Sequence, residues 1–231
     1  PIELAKTAGV WVLLLPVFFS VSHRMIPFFS ANAISGYTLV RPEWPLGVLP
    51  LLALAHAAME LSGHQGWTWL VDLPMAAIAF YLTWLWRLRA SLSIPLLAML
   101  HIGFAWLGIS MLLFAAQSLL LLDSGSLLLG KAPLHALVMG YFTSMLYGMA
   151  TRVTLGHSGR PLEADRLTWR LFLLLQAATL LRIVSDLPGM AFTTRNSCLL
   201  ITAAIWLLCF GIWAYHFAPI YWRPRLDGKP G

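Results

Sequence analysis

Charge is what this chain has least of. Asp, Glu, Lys and Arg make up 10% of its 231 residues, against ~25% in an ordinary soluble domain. That shortage excludes a soluble globular enzyme and a disordered, solvated tail. Seventeen glycines are too few for a collagen-like chain, which needs one at every third position. Cysteine is almost absent. Cys198 and Cys209 fall in one apolar segment, and as a helix it would hold them roughly 16 Å apart, beyond disulfide reach. No cysteine pair has metal-site spacing, and the two do not fix a compartment. There is no nucleotide-binding loop, no Ser–His–Asp order, no internal repeat and no low-complexity linker.

Apolar residues are what the chain does have, at 59%. Seven apolar runs follow one another: about Thr7–Val21, Pro45–Leu61, Trp67–Trp86, Pro95–Leu122, Pro133–Ala150, Leu167–Val184 and Cys198–Phe217. A span needs about 20 apolar residues, and only helices or closed barrels cross a bilayer. These runs are too long and too evenly apolar for barrel strands. The expected fold is all-α: a polytopic transmembrane helical bundle of about seven spans, occupying residues 1–231 as a single domain. Loop charge sets its orientation. Counted alternately, one side holds Arg24, Arg41, Arg87, Arg89, Arg152, Arg160, Arg166, Arg170, Arg223, Arg225 and Lys229, and the other holds Lys6, Lys131 and Arg195. This bias puts the C-terminus in the cytoplasm and the start of the chain outside. The net charge of +6 therefore reads as loop charge facing an anionic leaflet, with no nucleic-acid partner. Trp44, Trp67, Trp69, Trp84, Trp86 and Trp222 cluster near run ends as an interfacial belt. The chain starts with Pro1 and shows no signal peptide, and N-terminal helices of a longer protein are expected to be missing.

Ionisable groups at membrane depth are functional candidates, and neutral imidazole binds haem iron, copper and zinc. His56 lies toward the outer end of the second run, with Glu60 one turn on; the pair could share a metal, or the Glu could orient the imidazole. His135 opens the fifth run on the same side, and Asp72 and Asp123 are at that level too. One reading is an outer metal or haem site on His56 and His135. The other is polar groups reaching water at the interface. His101, near the inner end of the fourth run with Gly103, Trp106 and Gly108 after it, is either a haem ligand or a histidine hydrogen-bonded to a neighbouring helix. His64 reads as a loop residue, and His23 and His216 as interfacial.

Ala136, Gly140, Ser144 and Gly148 recur at four-residue spacing, a small-residue stripe that lets another helix approach, with a groove for a planar cofactor as the minority reading. The stretch from Thr151 to Leu162 carries Arg152, His157 and Arg160 around Gly156 and Gly159. A glycine turn with arginines suits an anion, a phosphate or haem propionates, though a basic inner loop explains it equally. Arg182 and Asp186 stand one turn apart, and Gln176 is polar at mid-span; all three read as bundle glue.

The run from His135 through Leu162 resembles the hallmark of the NnrS family of bacterial membrane proteins. The matching pieces are His135-Ala136-Leu137, Gly140, Gly148-Met149, Thr151-Arg152-Val153 and Gly156-His157-Ser158-Gly159-Arg160-Pro161-Leu162. Arg24-Met25-Ile26-Pro27-Phe28-Phe29, read as following the first helix, agrees as well, as do Pro219-Ile220 and Pro224 to Gly231. The resemblance implies about twelve spans, of which these would be the last seven. It also implies association with haem and copper and with the response to nitric oxide, in the bacterial inner membrane. It raises His135, His157, Arg152 and Arg160 as candidates. Residue reading and resemblance together assign His101 and His135 as haem or metal ligands and His56 as an outer metal ligand, with Arg152, His157 and Arg160 holding an anion; His101 and His56 rest on the residue reading alone. Nothing like the family's N-terminal Trp-His-x-His-Glu-Met type motif occurs here, so a site needing both parts is incomplete in this chain. The competing expectation is a transporter or a metal-delivery and assembly protein without redox turnover.

Overall fold

The computed structural model describes residues 2–226 and 228. Pro1, Asp227, Lys229, Pro230 and Gly231 lie outside the described residues, and with them one counted basic residue and part of the C-terminal block. Seven long helical stretches dominate the described residues, and no strand occurs among them. They are α1 (Ile2–Ala33), α2 (Trp44–Leu61), α3 (Trp69–Leu85), α4 (Pro95–Ser124), α5 (132–157), α6 (Arg166–Val184) and α7 (Phe192–Tyr221). Five of them, α1, α2, α4, α6 and α7, are long and apolar enough to cross a membrane. The 17-residue α3 is apolar but shorter, about 26 Å against the ~30 Å of a hydrocarbon core. Connections are short, so successive helices alternate in direction. The end where the chain starts is called here the near end, and the other the far end.

Residue chemistry explains where the helices exceed the apolar runs. Ser20, Ser22, His23 and Arg24 interrupt the apolar pattern of the first run, yet α1 continues to Ala33. The Ser20 and Ser22 hydroxyls donate back to the Pro16 and Phe18 carbonyls at 2.7 Å, so neither polar group ends the helix. The Arg24–Phe29 block therefore lies inside the first helix, not after it. The stretch Ala8–Leu14 widens into π-helix just before Pro16, whose ring nitrogen has no hydrogen to give. A second π-helical stretch, Ala136–Thr143, lies in α5. That helix runs on to His157, so Arg152 and Gly156 are helical, and of the two glycines expected in a turn only Gly159 adopts positive φ, at 70°. α6 starts at an aspartate cap, the Asp165 carboxylate accepting from Thr168 N at 2.7 Å.

α4 is the central post, buried along most of its apolar stretch, whereas α7 is largely exposed. The small-residue stripe of α5 packs against α4. A Cβ on Gly140 would lie 2.6 Å from the Trp106 indole, so the indole fills the groove that a planar cofactor would need. Trp106 Nε1 donates to Gln176 Oε1 at 2.8 Å, and Gln176 Nε2 donates to Ser144 at 3.0 Å. This ties α4, α5 and α6 together, the glue role expected of Gln176. Trp86 leaves the interfacial belt: it is fully buried, 4.8 Å from Phe104 between ring centroids, because the chain turns inward after α3.

Candidate functional site

His56 projects from the last turns of α2 and is 3% exposed. Its Nδ1 lies 2.6 Å from Oδ1 of Asp72, in the first turn of α3 and fully buried. Trp11, from the π-helical stretch of α1, stacks on the imidazole with centroids 3.6 Å apart, and Phe114 of α4 meets both rings edge-on. The widened turn of α1 thus carries the residue that covers the histidine. Glu60 does not orient His56, one of the two roles open to it; its carboxylate accepts from Trp11 Nε1 at 3.1 Å. The orienting carboxylate is Asp72, sixteen residues away on another helix. The second Asp72 oxygen has no hydrogen-bond partner, and neither has Gln117 Oε1.

A cavity of about 110 Å³ opens beside the imidazole, lined also by Glu60, Gln65, Thr68 and Gln117. A second cavity of about 260 Å³ shares Glu60, Gln65 and Gln117 with it and reaches Lys6 and Lys131 at the near end. Since Asp72 holds Nδ1, the lone pair of a neutral His56 sits on Nε2, the atom a metal would take.

His135, in the first turn of α5, repeats this arrangement at the same end. Its Nδ1 lies 2.6 Å from Oδ2 of Asp186, whose Oδ1 accepts from Arg182 Nη1 at 2.7 Å. Arg182 also donates to Ser185 Oγ at 2.8 Å. The expected Arg182–Asp186 pair is present, and its unforeseen role is to anchor a histidine. The His135 side chain is 20% exposed. His56 and His135 take different carboxylates, and no group of three His, Cys, Asp or Glu side chains placed to hold a metal occurs among the described residues.

The remaining candidates sit apart from both. His101 is 1% exposed and its Nε2 meets Ser30 Oγ of α1 at 2.9 Å, so the ring nitrogen a haem iron would need is engaged. Arg152 is buried with its guanidinium 3.8 Å over the Phe29 ring. His157 is exposed at the end of α5, while Arg160 is half-buried with Nη1 lacking a partner. The three do not form one anion nest, because the helical course to His157 separates Arg152 from the turn at Gly159. The segment is instead tied to the C-terminal part: Thr154 meets Tyr221 at 2.6 Å, and Leu226 N donates to the Ser158 carbonyl at 3.0 Å.

Trp11 and Ser30 escaped the sequence reading, and Asp72 entered it only by its depth. An aspartate opening an apolar run is the one signal that could have singled out Asp72.

The helices and their carboxylate–histidine pairs, one buried and one part-buried, define a polytopic α-helical membrane protein with ionisable sites at one end of the bundle. The chain belongs to the NnrS family: the family model described as NnrS protein matches residues 2–225. This membership associates it, in a general way, with the nitric-oxide response. Neither a curated protein nor a solved structure matches the chain.

Proposed function

We propose that this chain is part of a haem- and copper-associated protein of the bacterial inner membrane that relieves nitric-oxide stress, spanning the bilayer about seven times with its C-terminus in the cytoplasm. One observation carries the reading. At both His56 and His135 a carboxylate holds Nδ1 at 2.6 Å and leaves Nε2 to a metal. His56 fits copper: it is clamped by Trp11 and Phe114, faces a polar cavity, and has the Glu60 carboxylate one turn away. His135 fits a haem iron better than His101 does, because its ring reaches the bundle surface and its Nε2 is not engaged by a serine. Among Arg152, His157 and Arg160, Arg160 has a buried guanidinium nitrogen without a partner and would hold an anion at the far end, while Arg152 is committed to Phe29; roughly 30 Å of helix separates Arg160 from His135, too far for the propionates of a haem bound there. When bound, copper or haem iron supplies the coordination position and the electrons for nitric oxide. Asp72 and Asp186 fix the tautomer of each histidine, and Trp11 with Phe114 keeps the His56 ring from turning.

A second reading is metal delivery without turnover. It is favoured by His56 being the sole histidine lining its cavity, a sparse ligand set for a permanent centre. A competition titration with copper on the purified protein tests the site. His56→Ala should abolish the high-affinity step, Asp72→Asn should weaken it about 10–100-fold, and His101→Ala should leave it unchanged. Wild-type affinity in His56→Ala would sink the copper assignment. Consumption of nitric oxide by the reduced, metal-loaded protein separates turnover from delivery.

A further inference from the structure

We propose that the cleft between Arg24 and Arg41 at the far end of the bundle binds the phosphate of an anionic phospholipid, whose upper chain segments lie against Phe28 and Leu39. The inference is independent of haem and copper. The cleft is built by a histidine with no other evident task. His23 of α1 is 1% exposed, and its Nε2 meets the Pro42 carbonyl at 2.7 Å. This bond pins the connection between α1 and α2 back onto α1, and it sets Arg41 across from Arg24, the residue next to His23.

The resulting cleft measures about 320 Å³ and is lined by Arg24, Met25, Pro27, Phe28, Leu39 and Arg41. Both arginines are exposed, and neither makes a hydrogen bond or an ion pair among the described residues. Glu43, two residues beyond Arg41, forms no ion pair with either. Two guanidinium groups facing one cleft repel each other unless an anion lies between them, and guanidinium matches phosphate oxygens two at a time. The apolar walls identify the source of the phosphate. Phe28 and Leu39 are each 51% exposed beside the cations. A free phosphate gains nothing from them, whereas a lipid places its headgroup on the arginines and its glycerol and first methylenes on the two side chains. The cleft also lies toward the end of a membrane-crossing helix, where headgroups are found.

The test uses the whole purified protein, delipidated in a neutral detergent and titrated with short-chain phosphatidylglycerol or phosphatidylcholine, with bound lipid counted by native mass spectrometry. Phosphatidylglycerol should be retained preferentially. The double variant R24A/R41A should lose that preference by on the order of tenfold, and R24K/R41K should keep part of it. The control R166A/R170A removes the same charge from exposed positions on the same end and should keep it whole. Equal loss in the control and in R24A/R41A would mean diffuse surface charge and would overturn the site. Millimolar inorganic phosphate displacing the lipid completely, with binding indifferent to the acyl chains, would make it a soluble-phosphate site and overturn the lipid assignment.

Discussion

Gly140 and Gly47 show what a single missing Cβ does in this bundle. A methyl group on Gly140 would press into the Trp106 indole at 2.6 Å, whereas one on Gly47 would meet nothing within 4 Å. Gly140→Ala should therefore destabilise the protein by about 1–3 kcal/mol, the usual cost of overpacking. Gly47→Ala should be neutral or stabilise by up to about 1 kcal/mol, the helix-propensity gain. Thermal unfolding of the two variants in detergent checks this, and equal shifts would mean that the α4–α5 contact is looser than described. Residue chemistry was only partly legible in the sequence. The Arg182–Asp186 pair could be read because its members are one turn apart. Asp72 could not be assigned to His56, because the bond joins two helices and Glu60, one turn from His56, was the nearer candidate. Trp11 is aimed by a π-helical turn that no apolar period announces.

Among the elements, α6 has the best-defined start. Partial burial pushes the Asp165 carboxyl up, yet its hydrogen bonds with Thr168 and the nearby His216 ring outweigh this and hold it below the ordinary carboxylate value. A carboxylate with a lowered folded pKa stabilises the fold above its ordinary pKa, and that contribution disappears as pH falls through the lowered value. Asp165→Ala should cost about 1 kcal/mol at neutral pH, and the difference from wild type should shrink at an acid pH below the lowered carboxyl value, where both states are protonated. Unfolding curves at the two pH values decide it, and an undiminished difference in acid would contradict the assignment. Seven helical stretches were legible in the apolar runs, and five of them are long and apolar enough to cross a bilayer. Their ends were not: α1 and α5 run past polar residues whose side chains bond back to their own helix, as Ser20 and Ser22 do, and as Thr151 and Thr154 do to the Tyr147 and Ala150 carbonyls at 2.8 Å. That extension is why the anion turn expected around Gly156 narrows to Gly159.

For the whole molecule, the two ends differ in kind. The near end holds both carboxylate-anchored histidines and the polar cavities beside His56. The far end holds the basic cleft of Arg24 and Arg41 and the half-buried Arg160. Between them α4 is packed on most of its surface, and its one histidine, His101, is closed off by Ser30. On the proposed reading, cofactor chemistry belongs to the near end and membrane contact through charge to the far end. The most direct test of that division is a reduced-minus-oxidised optical spectrum of the purified full-length protein, taken beside its His135→Ala and His101→Ala variants. A haem band present in wild type and in His101→Ala, and lost in His135→Ala, is the predicted result. A band lost in His101→Ala but kept in His135→Ala, or absent from the wild type, would contradict the account.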